Sequence, residues 1–253
     1  MKKATALPPP PWRPATGFAA YTPGRAHPRA GGDGHPVIVF PGLGGNGPAL
    51  APLREHCQSL GHSAFDWGQG YKLGPPGDFD GRLSALAAHT EDLLARFDQS
   101  ATLIGWSLGG LYARELAKIM QARVRQVITI GTPFNTAADH ANGGWLFRLL
   151  SGTAAKAGKD LSARLRTPPP MPTTSIYSCS DGVVDWQACR HDEASHQVQD
   201  VEIEGSHIGM GWNPAVLGVI ADRLAQPPGR WRPYADLVSA THKTEGADAP
   251  VRD

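Results

Sequence analysis

The sequence has few cysteines, little net charge and no long apolar run. Its 253 residues include three cysteines, Cys57, Cys179 and Cys189, without a C-x-x-C pair. This pattern argues against a disulfide framework and favours a reducing compartment, although a single bridge between Cys179 and Cys189 stays open. The formal net charge of +1 gives no electrostatic reason to expect a nucleic acid partner.

Targeting and cofactor motifs are also missing. Two lysines follow the first methionine, but prolines interrupt the chain where a signal peptide would be apolar, and no stretch has the apolar length of a membrane span. We therefore expect a cytoplasmic protein without a transmembrane segment. No H-x-x-x-H pair and no Walker lysine occurs, and we expect no cofactor and no catalytic metal.

The chain divides into three parts by composition. Residues 1–33 form a proline-rich N-terminal arm, residues 34–240 alternate short apolar runs with helical patterns, and residues 241–253 form a polar tail. The alternation predicts an α/β fold with a mostly parallel sheet of about six strands and helices on both faces. An interruption at about 134–172 is too long for an ordinary connection and predicts an insertion with its own helices.

One stretch carries a chemical signal, "LIGWSLGG". Ser107 lies in a G-x-S-x-G pattern between an apolar strand and a predicted helix. In such an elbow the chain reverses so sharply that Gly105 and Gly109 are needed, because a Cβ there would clash with the neighbouring strand or helix. The serine hydroxyl is then lifted above the sheet edge at the positive helix terminus, as a nucleophile requires.

A serine nucleophile needs a base, and the base needs a carboxylate, in the chain order Ser, acid, His. Asp181 follows an apolar strand in "SIYSCSDGVVDW" and is the preferred acid, with Asp185 as the competitor. His207 in "EGSHIGMG" follows the next strand and is the preferred base. The other two downstream histidines lie in the polar stretch "RHDEASH", and we expect them at the surface: His191 and His196.

An acyl transfer reaction also needs two N–H donors for the oxyanion. One candidate is the backbone N–H of Leu108, directly after the nucleophile at the start of the helix. The other is the backbone N–H of Leu43 in the glycine-rich loop "FPGLGGNG" after the first strand.

Taken together, these motifs resemble the α/β-hydrolase superfamily, and within it the small bacterial lipases and esterases. The matching segments run from about residue 36 to 226 in the family's order. The resemblance implies a minimal α/β-hydrolase fold, a cap or lid formed by the segment after "GTPF", and a triad of Ser107, Asp181 and His207. This chain departs from the family in having Pro41-Gly42, directly before the proposed Leu43 donor, where many lipases have His-Gly. The resemblance also leaves a structural calcium open.

The sequence therefore predicts a serine hydrolase that cleaves carboxylic esters. A thioesterase or acyltransferase could use the same triad, and a non-catalytic binding protein could keep the fold. A cluster of apolar residues in the insertion would roof the cleft and favour an uncharged acyl ester, or else pack into the core: Trp145, Leu146, Phe147, Leu149 and Leu150. The sequence leaves the oligomeric state open.

Overall fold

The structure is a computed structural model that describes residues 31–43, 45, 50–68, 78–135, 155–192 and 197–235. Residues 1–30 of the predicted arm, the polar tail and the apolar cluster at 145–150 lie outside the described residues. Of the predicted insertion at about 134–172, the structure describes residues 134–135 and 155–172. No helix in the described part of the chain is long and apolar enough to cross a membrane.

Six parallel strands form one sheet, as the apolar runs predict. Its order is β2-β1-β3-β4-β5-β6, and every neighbouring pair is parallel. All residues of β1 and β5 are buried, because a parallel sheet is covered on both faces. The strands are β1 (Pro36–Phe40), β2 (Ser63–Asp66), β3 (Ala101–Trp106), β4 (Val124–Ile130), β5 (Thr173–Tyr177) and β6 (Val198–Glu202).

The described helices cover both faces of this sheet. One core cluster joins residues of α2, α3 and α4 to one face, and a second joins residues of α1 and α5 to the other. Short 3₁₀ helices span Gln121–Arg123, Trp186–Cys189 and Gly209–Trp212. The α-helices are α1 (Ala51–Ser59), α2 (Phe79–Leu94), α3 (Leu108–Ile119), α4 (Ala155–Arg166) and α5 (Pro214–Leu224).

Capping side chains explain where two of the helices begin. α2 starts at Phe79, four residues before the predicted apolar stretch, because the Asp78 carboxylate accepts a hydrogen bond from the Gly81 N–H. α5 begins at Pro214 with Asn213 as its N-cap, as the sequence predicts, and the Asn213 side chain accepts from the Ala215 N–H at 2.8 Å.

The strand order also locates the place where a ligand is expected. The chain moves outward in one direction from β1 to β2 and in the other from β3 to β6, so the order reverses between β1 and β3. Ligands of open α/β sheets bind at the carboxyl ends of the strands at this reversal. Leu43 follows β1 and Ser107 follows β3, so both lie at this point.

Candidate active site

Ser107 occupies a strained turn between β3 and α3. Its φ of 52° and ψ of −122° lie outside the regions that L-residues ordinarily adopt, and it is the one non-glycine residue with positive φ in the described part of the chain. Two main-chain bonds hold this conformation. The Ser107 N–H donates to the Ile130 carbonyl at 2.8 Å, and the Ser107 carbonyl accepts from the Gly110 N–H at 3.0 Å.

The glycines around Ser107 allow three backbones to approach closely. A Cβ at Gly105 would overlap Gly110, and a Cβ at Gly109 would overlap the carbonyl of Phe40 at the end of β1. Both clashes agree with the expectation from the sequence. Gly110, which the sequence reasoning did not single out, is equally constrained because a Cβ there would overlap the Thr132 side chain. The helix after Ser107 therefore packs against β1 and against the loop after β4.

Asp181 and His207 form a buried pair at the ends of β5 and β6. The His207 Nδ1 lies 2.7 Å from the Asp181 Oδ2, and the two side chains are 9% and 3% exposed. The His207 main-chain N–H also donates to the Asp181 carbonyl at 2.8 Å. The other carboxylate oxygen, Oδ1, accepts from the N–H groups of Val183 and Val184 at 2.9 and 2.6 Å. The carboxylate is thus fixed on both sides, and it sets the orientation of the imidazole.

One glycine lies against the acid–base pair and another lies against the serine. Gly131 follows β4 with φ +52°, and a Cβ there would lie 3.0 Å from the His207 Nδ1 and 3.2 Å from the Asp181 Oδ2. Gly42 follows β1, and its Cβ would lie 3.2 Å from the Ser107 Cβ. The sequence reasoning missed the role of Gly131, although it lies in the "GTPF" segment directly after a strand.

The two candidate oxyanion donors, Leu43 and Leu108, both lie just beyond the carboxyl ends of strands, at the same edge of the sheet as Ser107. Leu108 is the first residue of α3, where main-chain N–H groups have no partner within the helix. Leu43 lies in a turn that the Gly45 N–H closes by donating to the Gly42 carbonyl at 3.0 Å. Because Gly42 contacts Ser107, this turn borders the nucleophile position.

Further side chains support the site without having been predicted. The buried Ser178 hydroxyl accepts from the N–H groups of Ser180 and Gly205, each at 3.1 Å, so it links the Asp181 loop to the His207 loop. The Trp106 ring lies 6.0 Å from the His207 ring. Trp106 occupies a variable position of the G-x-S-x-G pattern and Ser178 belongs to no motif, so the sequence reasoning gave neither residue a role.

The alternative acid, Asp185, and the alternative base His191 make contacts of their own elsewhere in the structure. Asp185 caps the 3₁₀ helix Trp186–Cys189, and its Oδ1 accepts from the Gln187 N–H at 3.0 Å. The expectation that His191 lies at the surface is wrong. Its side chain is 4% exposed, with Nδ1 2.6 Å from the Asp200 Oδ1 and Nε2 2.9 Å from the Arg114 Nη1. His196 lies outside the described residues.

These contacts fix the protonation of His191. The Arg114 guanidinium can only donate, so the His191 Nε2 must accept and its Nδ1–H donates to Asp200. Burial lowers the pKa of His191, and the positive charge of Arg114 adds to this effect against the opposing bond to Asp200. His191 therefore serves as a neutral buried link between α3 and β6.

Comparison with known proteins agrees with the fold. Residues 35–167, just over half of the chain, match the family described as alpha/beta hydrolase fold, and the chain therefore belongs to this family. Over 118 residues it is 32% identical to the pimeloyl-[acyl-carrier protein] methyl ester esterase of Aliivibrio salmonicida (strain LFI1238). That match covers 45% of this chain and 41% of the esterase, so it spans less than half of the relative.

Solved structures of lipases have the same architecture. The mature form of the Bacillus licheniformis lipase BlEst2 is 19% identical with a TM-score of 0.58, covering 75% of this chain and 91% of the lipase. The Paleococcus ferrophilus monoacylglycerol lipase is 14% identical with a TM-score of 0.52, covering 75% and 93%. At these identities the likeness establishes the fold, and the reaction has to be argued from the site.

Proposed function

We propose that this protein is a serine hydrolase that cleaves carboxylic esters through an acyl-enzyme on Ser107. The observations that carry the proposal are the strained serine at the β3–α3 turn and the buried pair of Asp181 and His207, all of which follow strands at the same edge of the sheet. A binding protein would have no need to hold a serine at φ 52° or to bury a hydrogen-bonded aspartate–histidine pair at the same edge of the sheet.

The proposed reaction follows from the hydrogen bond between these two side chains. A carboxylate can only accept, so the His207 Nδ1 carries the proton and Nε2 has a free lone pair. Nε2 takes the proton of the Ser107 hydroxyl as its oxygen attacks the ester carbonyl, and the imidazolium then protonates the departing alcohol. Water, deprotonated by the same nitrogen, attacks the acyl-enzyme and releases the carboxylic acid and free serine.

The developing oxyanion needs donors that are in place beforehand. We assign these to the main-chain N–H groups of Leu108 and Leu43. The Leu108 donor lies at the start of α3, where the helix dipole adds favourable positive potential. The Leu43 donor lies in the turn that borders Ser107.

The surface around the site favours an apolar substrate. Of the four large apolar side chains that are exposed in the described residues, three lie in the loops after β1, β5 and β6: Leu43 (44%), Val183 (51%) and Ile208 (58%). These are the loops that carry the second proposed oxyanion donor, the acid and the base. We therefore propose uncharged acyl esters as the substrate class, because a charged acyl group would lose hydration against these side chains without gaining a partner. The three free thiols support the expected cytoplasmic location.

A substrate panel with a serine variant tests the proposal. p-Nitrophenyl esters of increasing acyl length, a charged ester and acyl-CoA thioesters are compared on the wild type, Ser107→Ala and Ser84→Ala. Ser84→Ala is the matched control, since Ser84 is exposed on α2 and its hydroxyl donates to the Asp80 carbonyl. We expect Ser107→Ala to lose about a thousandfold or more in kcat, while Ser84→Ala stays near the wild type.

Three results would contradict the proposal in different ways. More than about a tenth of wild-type activity in Ser107→Ala would exclude the nucleophile. Faster turnover of thioesters than of oxygen esters would favour the thioesterase alternative. No ester turnover, together with no labelling of Ser107 by a fluorophosphonate, would favour a binding protein.

A further inference from the structure

A second group of reactive side chains lies at the opposite ends of the strands from Ser107. His35 directly precedes β1 and His62 directly precedes β2, and the parallel register pairs Pro36 with Ser63, the residues that follow them. Both imidazoles are buried, and their ring centroids are 4.3 Å apart. The carboxylate of Asp33 reaches the same place. We infer that Asp33, His35 and His62 form a binding site for a divalent transition metal of the Zn²⁺ type.

The distances fit such an ion after a small movement of one side chain. One ligand atom from each of the three residues lies within 4.8 Å of the other two, and the His62 Nδ1 is 3.6 Å from the Asp33 Oδ1. Bonds of about 2.0–2.2 Å to a tetrahedral ion place ligand atoms about 3.3 Å apart. The Asp33 Oδ1 is closer than this to the His35 Nδ1, at 2.5 Å, where a hydrogen bond joins them. The Asp33 side chain is 45% exposed, so it can move outward to admit an ion.

An unpartnered nitrogen is the second observation that points to a ligand. The Nδ1 of His62 is buried without a hydrogen-bond partner, and the side chain is only 2% exposed. Buried polar atoms are nearly always satisfied, so this nitrogen calls for a partner. It is directed toward the Asp33 carboxylate, and an ion between them would satisfy it.

Outer contacts hold the other two ligands in place. The His35 Nε2 lies 2.9 Å from the Thr102 hydroxyl, which also accepts from the Gln126 amide at 3.0 Å. If His35 donates from Nε2 to Thr102, its Nδ1 lone pair is free for a metal, as in many sites where an outer partner fixes the tautomer. The Asp33 Oδ2 accepts from the Arg125 guanidinium at 2.8 Å. The Oδ1 accepts from the His35 main-chain N–H at 3.2 Å and has a second lone pair for the ion.

The donor set also selects the kind of ion. Two imidazole nitrogens and one carboxylate oxygen match Zn²⁺ and its neighbours, whereas Ca²⁺ takes six to eight oxygens. Arg125 cancels the charge of Asp33, so the site lacks the surplus negative charge that binds hard cations. The exposed side of Asp33 leaves a fourth position for water.

Metal titration of the full chain tests the inference. All variants carry Cys179→Ser, since this exposed thiol could bind the same ions. The protein is stripped with EDTA, and Zn²⁺ binding is measured by calorimetry, with Co²⁺ absorption as a report on tetrahedral geometry. We expect one equivalent to bind. His62→Gln should weaken Zn²⁺ binding by about a hundredfold or more. The substitution removes no hydrogen bond at Nδ1, because this nitrogen has no hydrogen-bond partner in the structure.

Two further variants sharpen the test. His89→Gln on α2 is the matched control and should bind like the parent protein. Arg125→Gln should bind Zn²⁺ more tightly, because it removes a positive charge next to a ligand. Zn²⁺ should raise the melting temperature of the parent and of His89→Gln but not that of His62→Gln.

The inference fails if the parent shows no one-equivalent binding, or if His62→Gln and His89→Gln bind equally. If His62→Gln does not fold, X-ray absorption of the zinc-loaded parent protein counts the imidazole ligands on the metal. Fewer than two imidazole ligands would overturn the inference. None of these measurements depends on ester hydrolysis, so a negative result for the metal site would leave the proposed function unaffected, and the reverse also holds.

Discussion

The variant Asp181→Asn tests the proposed acid, and the structure allows us to work out how far the rate of hydrolysis should fall. In the wild type the Oδ1 of this residue accepts two main-chain N–H groups, from Val183 and Val184. Only the oxygen of an asparagine can take that place, so its NH₂ group must face the His207 Nδ1. This nitrogen then accepts instead of donating, the proton moves to Nε2, and the base can no longer take the proton of Ser107.

The two main-chain bonds determine how strictly the amide is oriented. Turning it over would break both bonds, at a cost of about 1 kcal/mol each, so at most about 3% of molecules would have the productive tautomer. The rate should therefore fall at least about 30-fold, and loss of imidazolium stabilisation can extend this toward about 10⁴-fold, or about 5 kcal/mol of transition-state stabilisation. Hydrolysis of p-nitrophenyl butyrate, measured as kcat/KM beside the melting temperature, gives the result.

Asp185→Asn is the matched control for this experiment. Its Oδ1 accepts from the Gln187 N–H at the start of the 3₁₀ helix, and asparagine caps as well as aspartate does. We expect kcat/KM within about threefold of the wild type. Retention of more than a tenth of wild-type activity in Asp181→Asn, or a larger loss in Asp185→Asn, would refute the assignment of the acid.

Two further predictions concern packing and protonation. Gly131→Ala should lower kcat/KM by about ten- to a hundredfold, because its Cβ would press on His207. Gly229→Ala is the control, since Gly229 also has a positive φ but has open space around its Cβ position. That variant should cost only about 1–2 kcal/mol of stability. Because burial lowers the folded-state pKa of His191, the unfolded chain binds its proton first, and the free energy of unfolding should fall as pH drops below about 6.5. Burial also lowers the pKa of His35, His56 and His62, so His191→Gln should make that fall less steep in urea titrations without abolishing it. An unchanged slope would show that His191 does not contribute to it.

The sheet and the order of the candidate site residues could be predicted because both follow from local patterns. Short apolar runs that alternate with helices leave few arrangements other than a parallel sheet. Within that sheet, a serine between glycines, an aspartate after a later strand and a histidine after the next one must meet at the same edge. This reasoning chose Asp181 over Asp185 on distance from the strand end, and the hydrogen bond to His207 favours the same choice.

Contacts between side chains that are far apart in sequence could not be predicted in this way. His191 lies in a polar stretch, and its burial depends on Arg114 and Asp200, which come from α3 and β6. The grouping of His35 and His62 likewise depends on the parallel pairing of β1 with β2. No spacing rule links such residues, because only the register of the sheet determines which of them meet.

The same register explains how a small sheet can position the candidate residues. Beyond the last paired residues, the hydrogen bonding between neighbouring strands continues into the loops, from Ser107 across to His207. Each bond in this series is 2.8 or 2.9 Å long. Three of them join the end of one strand to the next, and the last joins the loops after β5 and β6: Ser107 N–H to Ile130 O, Gly131 N–H to Ile176 O, Ile203 N–H to Tyr177 O, and His207 N–H to Asp181 O. Because these main-chain bonds fix the three residues relative to the sheet, the rest of each loop can vary in sequence while the site keeps its geometry.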